Sequence, residues 1–211
     1  MVAVGKFGIY RQTIKVVKAV KLDEGMINPS VIRTRKNPER WVVFNSNGPR
    51  LPTYSAVPPR IFLNVFNKMS FPKKSAFCDL GAGKGLACFI ASFYVSSAIG
   101  YEIDPELHGK AEFLREKLGL KNVGFINKDF LAADLKPYNI LFMHRPFEEN
   151  LVELMSNKLK ETKSGTFIIS YRFDKEIENI FDPKDYTEQY PGLWKYVPQP
   201  LLPTIFVFKR K

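Results

Sequence analysis

A glycine-rich segment and two acidic residues give the clearest chemical signal in the sequence. The stretch Phe77–Gly85 reads FCDLGAGKG, so Asp79 precedes three glycines at alternate positions. Glycines let a backbone turn sharply and approach a ligand closely, as α/β sheets require at the carboxyl ends of their strands. Glu102 follows Gly81 by 21 residues, where a carboxylate can accept hydrogen bonds from both hydroxyls of a ribose. These residues predict a site for a ribose-containing ligand.

The glycine pattern differs from the dinucleotide fingerprint G-x-G-x-x-G. It reads G-x-G-x-G, and Leu86 stands where the last glycine of the fingerprint would be. The carboxylate of Asp79 would repel a pyrophosphate, whereas a sulfonium ligand with an α-amino group tolerates or uses a carboxylate there. The pattern therefore favours a ligand of the second kind.

The surrounding sequence alternates short apolar segments with amphipathic ones, which indicates an α/β protein with a mostly parallel sheet. Strands are predicted over 76–80, 98–103, 123–127, 140–143, 165–171 and 204–209, with a weaker candidate over 186–190. Helices are predicted over 59–69, 86–95, 148–162 and 175–181, and another is capped by Asp104, begins at Pro105 and ends at Gly119. The last two strands have no helix between them, which predicts that the sheet ends in antiparallel strands.

Residues 1–55 lack this alternation and predict a basic N-terminal extension before a domain over 56–211. Residues 1–60 hold eleven Lys/Arg and three Asp/Glu, whereas the rest of the chain holds twenty-one and eighteen. Such an excess suits an acidic partner, either protein or nucleic acid, or an anionic membrane. The extension is interpreted as a lid or a substrate arm.

A helix is predicted over residues 6–22, and its apolar stripe comprises Phe7, Tyr10, Ile14 and Val17. One interpretation of such a basic amphipathic helix is that it lies on a membrane or an acidic partner. The other is that it packs on its own domain with a solvated charged face, and this interpretation is favoured. Mitochondrial targeting is a further alternative, since no acidic residue precedes Asp23.

The two cysteines and the hydropathy pattern indicate the class of protein. Cys78 and Cys88 have apolar neighbours and no partner pair, which argues against a zinc ribbon or a disulfide framework and predicts buried free thiols. No metal is expected. The longest uncharged run, Gly85–Tyr101, is too short for a comfortable membrane span, and no signal peptide is recognised. A cytoplasmic protein without a transmembrane segment is predicted, and its oligomeric state is left open.

Two further strand ends carry residues suited to a ligand. Asp129 and Phe130 follow the third strand and place a polar side chain and an aromatic ring where an adenine would lie. The fourth strand ends in the run His144–Phe147, which reads HRPF and predicts a rigid turn at the mouth of the cleft.

Together these motifs resemble those of the class I S-adenosylmethionine-dependent methyltransferases. The shared order is Asp-x-Gly-x-Gly-x-Gly, an acid after strand two, an aspartate after strand three and a proline–aromatic turn after strand four. The resemblance covers about residues 56–211 and implies a Rossmann-like, doubly wound, mostly parallel seven-stranded sheet with an antiparallel last strand. Residues 54–58 (YSAVP), 100–102 (GYE) and 145–147 (RPF) look like a subgroup that includes non-SET histone-lysine and mitochondrial protein-lysine methyltransferases. Relatives in that subgroup often carry Asn where this chain has Arg145.

The resemblance implies a cofactor, S-adenosyl-L-methionine, and residues for each role. The implied cofactor-binding residues are Asp79, Gly81, Ala82, Gly83, Gly85, Glu102, Ile103, Asp129 and Phe130. The candidate catalytic residues are His144, Glu148 and Tyr171, and the candidate substrate-binding residues are Tyr54, Arg145, Pro146 and Phe147.

The acceptor of the methyl group is left open among several classes. The subgroup resemblance favours a lysine side chain of a protein. The basic N-terminus, with Trp41, Phe44 and Tyr54 as possible stacking groups, suits RNA or DNA, although the Asn/Asp-Pro-Pro-aromatic turn of base amino-methylating enzymes is absent. A small molecule is the third class, with residues 1–55 as a lid over the cleft. The remaining alternative is a binding module that keeps the cofactor fold without catalysis.

Overall fold

The computed structural model describes residues 6–24, 42–43, 50–51, 59–69, 71–144, 149–171, 180–190 and 205–211. The helices are α1 (Lys6–Glu24), α2 (Pro59–Lys68), α3 (Leu86–Ala91), α4 (Pro105–Leu118) and α5 (Glu149–Lys160). The strands are β1 (Val42–Val43), β2 (Arg50–Leu51), β3 (Ala76–Leu80), β4 (Ser97–Tyr101), β5 (Val123–Ile126), β6 (Ile140–His144), β7 (Phe167–Tyr171), β8 (Tyr186–Tyr190) and β9 (Ile205–Arg210). One 3-10 turn spans Phe130–Ala132.

Seven strands form one sheet in the order β5-β4-β3-β6-β7-β9-β8. Strands β3 to β7 are parallel, and β9 runs antiparallel to both β7 and β8. This arrangement confirms the predicted fold class and its antiparallel finish. The chain order reverses beside β3, and open α/β sheets bind ligands at such a point, outside the carboxyl ends of the strands.

Two apolar clusters form the core, and neighbouring residues of β3 belong to different clusters. Phe77 lies in the first cluster and Cys78 in the second, as expected for side chains that alternate across a buried strand. In the first cluster, the ring of Phe62 in α2 meets Phe77 and Phe142 edge-on at 5.9 and 4.9 Å between centroids. These contacts anchor α2 beneath the strands whose ends form the candidate site.

The start and end of α4 agree with the prediction. Oδ1 of Asp104 accepts hydrogen bonds from the N–H groups of Glu106 and Leu107 at 2.8 and 3.2 Å, and Pro105 occupies the first turn. Gly119 ends the helix with φ 65°, in the left-handed region that glycine adopts most readily. The cap fixes where the chain leaves β4 and therefore where Glu102 lies.

Two other helices differ from the prediction in detail. α3 ends at Ala91 and not at Val95 because residues 92–94 form a tighter turn, in which Tyr94 N–H donates to the Ala91 carbonyl at 2.8 Å. In α5, the spacing of Leu151, Leu154, Met155 and Leu159 predicts a side that faces inward. Met155 and Leu159 are buried as predicted, but Leu154 is 51% exposed and does not face the core. The helix expected over 175–181 falls mostly outside the described residues.

The helix predicted near the N-terminus is present as α1, but a different side of it is buried. Val16 and Val20 are buried in the first cluster, and α1 packs against α3 and α4. Tyr10 and Ile14, which the sequence assigned to the apolar stripe, are 56% and 38% exposed. The buried line includes Thr13, whose hydroxyl donates to the Ile9 carbonyl at 2.9 Å and so needs no partner outside the helix.

Both cysteines are buried and free. Burial raises the pKa of the Cys78 and Cys88 thiols well above the usual range, and the charge of Asp79 adds to the effect. The thiols therefore stay protonated and act as small apolar groups. Within the part of the chain that the structure describes, no helix is long and apolar enough to cross a membrane.

Candidate cofactor site at the carboxyl ends of the strands

The loop between β3 and α3 takes a conformation that requires glycine. Gly81, Gly83 and Gly85 have φ values of 114°, 54° and 83°, which side chains rarely tolerate. The N–H groups of Gly81 and Ala82 both donate to the carbonyl of Tyr101, at 3.0 and 2.8 Å, so the loop is fastened to the end of β4. A Cβ built on Gly81 would meet no atom within 4 Å, which leaves open space beside the backbone for a ligand.

Close packing beneath the loop also depends on glycine, at Gly100 and again at Gly85. A Cβ at Gly100 would lie 2.5 Å from the Cβ of Ala82 and 2.8 Å from the ring of Phe125. A Cβ at Gly85 would lie 2.3 Å from the same ring. Phe125 of β5 therefore supports the loop from below, a role that the sequence analysis missed because it joins residues distant along the chain.

Glu102 lies at the end of β4 and holds the loop through its carboxylate. Oε2 accepts a hydrogen bond from Gly83 N–H at 2.7 Å, and Oε1 accepts one from Asp104 N–H at 2.9 Å. Burial raises the pKa of Glu102, and these two N–H groups partly offset the rise. Each carboxylate oxygen can accept more than one hydrogen bond, so capacity remains for the two hydroxyls of a ribose.

Asp79 is a buried acid whose hydrogen-bonding capacity is incompletely used. It is 2% exposed, and Oδ1 has no hydrogen-bond partner within the described ranges. Burial, followed by the charge of Glu102, raises its pKa well above the usual range. A buried carboxylate without a partner is costly, and a ligand that brings an ammonium group would relieve that cost. S-adenosylmethionine carries an α-ammonium and a ribose, so the two buried acids and the open glycine loop fit it.

We expect Asp79→Asn to stabilise the ligand-free protein at neutral pH, with an advantage that shrinks as the pH falls. The pKa of Asp79 is raised in the folded state, so the folded protein binds the proton more tightly than the unfolded chain does. The wild type should therefore lose stability as the pH rises above about 4, and asparagine cannot titrate. Thermal midpoints of both proteins from pH 4 to 8 test this, and a difference that stayed constant with pH would contradict it.

The residues assigned to the adenine pocket follow β5. Oδ1 of Asp129 accepts a hydrogen bond from Leu131 N–H at 2.9 Å and caps the 3-10 turn. Phe130 is half-buried against the second cluster, and Ile103 is half-buried beside Glu102. Because Asp129 has a second carboxylate oxygen, capping does not prevent it from binding an exocyclic amino group.

Asn127 joins the two strand ends that carry Glu102 and Asp129. Its Nδ2 donates to the carbonyls of Glu102 and Ile103, at 2.8 and 3.2 Å. The sequence analysis did not foresee that the side chain of Asn127 ties β5 to β4. A polar residue directly after a buried strand was the available signal.

We expect Asn127→Ala to weaken binding of S-adenosylhomocysteine, the product of methyl transfer, by about three- to tenfold through loss of this tie. Asn122→Ala is a matched control, because Nδ2 of Asn122 donates to the carbonyls of Ser92 and Val95 at 2.9 and 3.4 Å, at the opposite end of β5. Both variants should lose about 1–2 kcal/mol of stability. Calorimetry should show weaker binding for Asn127→Ala alone, and an equal loss in the control would contradict a positioning role.

Two of the candidate catalytic residues lie together at the ends of β6 and β7. His144 and Tyr171 are register partners, and their ring centroids are 4.8 Å apart at an interplanar angle of 54°. Tyr171 is buried and His144 is half-buried. The remaining candidates, Glu148, Tyr54, Arg145, Pro146 and Phe147, lie outside the described residues.

Comparison with known proteins identifies the family. Residues 72–191, more than half of the chain, match a family model described as a methyltransferase domain. The chain therefore belongs to this methyltransferase-domain family. It is an S-adenosylmethionine-dependent methyltransferase, and S-adenosylmethionine is its cofactor. No curated protein sequence matches the chain.

Solved structures share the fold at low sequence identity. An RNA methyltransferase from Salinibacter ruber in complex with S-adenosyl-L-homocysteine is 18% identical, with a TM-score of 0.57 over 74% of this chain and 94% of that one. A putative methyltransferase, yhhF, from Escherichia coli is 20% identical, with a TM-score of 0.58 over 82% and 97%. A ribosomal protein L11 methylase from Lactobacillus delbrueckii subsp. bulgaricus is 14% identical, with a TM-score of 0.58 over 72% and 78%. At these sequence identities, the similarity shows a shared fold and nothing further.

Proposed function

We propose that the chain methylates a lysine side chain of a protein and binds its cofactor with the residues around the glycine loop. Asp79 receives the α-ammonium of the methionine part, and Glu102 receives the ribose hydroxyls. Asp129 and Phe130 form the adenine pocket, and the wall between these points comprises Gly81, Ala82, Gly83, Gly85 and Ile103. The observation that carries the cofactor assignment is the pair of buried carboxylates with unused hydrogen-bonding capacity.

The bound cofactor supplies an electrophilic methyl group on a sulfonium. The acceptor nitrogen would have to arrive neutral and would release a proton once methylated, so a base of this chain is needed beside it. His144 is the proposed base, and Tyr171 orients its ring through the contact at 4.8 Å. Glu148 is the alternative base.

The lysine assignment rests on sequence resemblance in two short segments. Residues 54–58 and 145–147 are similar to those of protein-lysine methyltransferases, which makes Tyr54, Arg145, Pro146 and Phe147 the proposed acceptor contacts. Val16 and Val20 of α1 belong to the core. We therefore assign the lid or substrate arm of the N-terminal extension to the residues between Glu24 and position 55. We also place the protein in the cytoplasm, which suits its two free thiols.

RNA is the second candidate acceptor. Among the solved structures, the Salinibacter ruber protein is named an RNA methyltransferase, and the basic N-terminal region suits a polyanion. The Lactobacillus delbrueckii protein, by contrast, is named a ribosomal protein methylase. The same fold thus serves both acceptor classes, and the fold does not choose between them.

To test this assignment, the protein is incubated with methyl-labelled cofactor and an extract of its source cells. One portion of the extract is treated with nuclease, and another is depleted of protein. We expect label in the nuclease-treated extract, recovered as methyllysine after acid hydrolysis and lost with Glu102→Ala. If label appeared only in the RNA fraction, the acceptor would be RNA and not lysine. Tight cofactor binding without label in any fraction would instead support a non-catalytic module.

A further inference from the structure

Strand β5 forms one edge of the sheet, and a side chain of α4 binds an N–H group on its free side. The only strand that pairs with β5 in the seven-stranded sheet is β4. The carbonyls of Asn122 and Ile126 accept hydrogen bonds from N–H groups on the β4 side, and successive residues of a strand direct their backbone groups to opposite sides. The N–H of Phe125 therefore points to the free edge, where Oε1 of Glu112 accepts a hydrogen bond from it at 3.1 Å.

The carboxylate of Glu112 is itself held by a residue one turn further along α4. Its Oε2 accepts two hydrogen bonds from Arg115, from Nε at 2.9 Å and from Nη2 at 2.7 Å. The side chains of Arg115 and Glu112 are 28% and 30% exposed, so water reaches them only in part. Hydrogen bonds between charged groups are the stronger kind. The pair therefore presents one carboxylate oxygen to β5 in a fixed position.

Phe125 lies between two parts of the proposed cofactor site. Its ring packs beneath the glycine loop and leaves no room for a Cβ at Gly85 or Gly100. The carbonyl of the next residue, Ile126, accepts a hydrogen bond from the Glu102 N–H at 3.0 Å. A displacement of Phe125 would thus move both the support of the loop and the backbone of the proposed ribose ligand.

We propose that Glu112 is a positioning residue for cofactor binding and that it acts through the N–H of Phe125. This role rests on the cofactor site proposed above, and Glu112 itself does not touch the cofactor. An edge strand has unpaired N–H groups on one side and no second neighbour to fix its position. The carboxylate of Glu112 takes the place of that neighbour at the residue that supports the loop.

Calorimetry with S-adenosylhomocysteine tests the proposal at a temperature well below the thermal midpoint of every variant. We expect Glu112→Ala to weaken binding about three- to tenfold, which corresponds to one hydrogen bond. Glu112→Gln keeps an oxygen that can accept from the Phe125 N–H and should bind within about twofold of the wild type.

Glu116→Ala is the matched control. It removes the same charge from the same helix, and the Glu116 carboxylate lies 3.6 Å from Nη2 of Arg115 with 72% of its side chain exposed. This variant should bind S-adenosylhomocysteine like the wild type. Circular dichroism checks that each variant folds. If Glu112→Ala does not, Glu112→Asp replaces it, because its carboxylate keeps the charge but is one methylene too short to reach Phe125.

Three results would overturn this role while leaving the cofactor site intact. The first is a lower thermal midpoint of Glu112→Ala with unchanged affinity, which would show a purely structural contact. The second is an equal loss of affinity in Glu116→Ala, which would indicate the charge of α4 in general. The third is an equal loss in Glu112→Gln, which would show that the hydrogen bond to Phe125 is not the cause. Absence of binding in the wild type would refute the cofactor site and this role together.

Discussion

Replacement of Glu102 by alanine is expected to weaken S-adenosylhomocysteine binding by about 100-fold or more. The carboxylate accepts hydrogen bonds from the N–H groups of Gly83 and Asp104. In the proposed complex it also accepts hydrogen bonds from both ribose hydroxyls. Each hydrogen bond to a charged group contributes about 1.5–3 kcal/mol, so losing two ribose contacts costs about 3 kcal/mol of binding energy. Isothermal titration calorimetry measures the dissociation constants of the wild type and the variant.

Glu106→Ala is the matched control for this experiment. Glu106 is an exposed acid on the first turn of α4 that pairs with Lys110, four residues from Glu102 in sequence. Its removal takes away the same charge close to the site without touching the carboxylate that holds the loop. Unchanged binding in Glu106→Ala together with a large loss in Glu102→Ala supports the assignment. Similar affinities in the two variants would show that the ribose lies elsewhere.

Gly100→Ala is expected to destabilise the protein by about 1–3 kcal/mol and to weaken cofactor binding at the same time. Its Cβ would lie 2.5 Å from the Cβ of Ala82 and 2.8 Å from Phe125, and overpacking in a filled core has costs of this size. The clash pushes directly on the cofactor loop, because Ala82 is one of its residues. Chemical denaturation measures the first effect and calorimetry the second.

Gly109→Ala makes the same substitution, but we expect it to have the opposite effect on stability. Gly109 lies within α4, and a Cβ there would meet no atom within 4 Å. Alanine should therefore stabilise the helix by about 0.5–1 kcal/mol and leave cofactor binding unchanged. If Gly100→Ala were as stable as Gly109→Ala, the tight contact between β4, the loop and Phe125 would be disproved.

The parts of the fold that local rules govern were predictable from the sequence. The alternation of apolar strands and amphipathic helices gave the sheet and its antiparallel finish. Asp104 and Pro105 marked the start of α4 because capping depends on neighbouring residues alone. The glycine loop and the acid after β4 were recognised because each directly follows a predicted strand, where ligand-binding residues of α/β sheets are expected.

The parts that long-range packing decides were not predictable in this way. The sequence of α1 offers two apolar lines, and only contact with α3 and α4 selects the one through Val16 and Val20. The packing of Phe125 against Gly100 and the tie from Asn127 to β4 likewise join residues about 25 positions apart. A helix or strand pattern read along one segment carries no information about such partners.

A crystal structure of the protein with S-adenosylhomocysteine tests the central claim most directly. The account predicts both ribose hydroxyls within hydrogen-bond distance of the Glu102 carboxylate, about 2.6–3.2 Å. It also predicts the amino group of the homocysteine part near Asp79 and the adenine beside Asp129 and Phe130. A ligand bound away from the Gly81–Gly85 loop, or no ligand in crystals of the folded protein soaked at saturating concentration, would contradict the account.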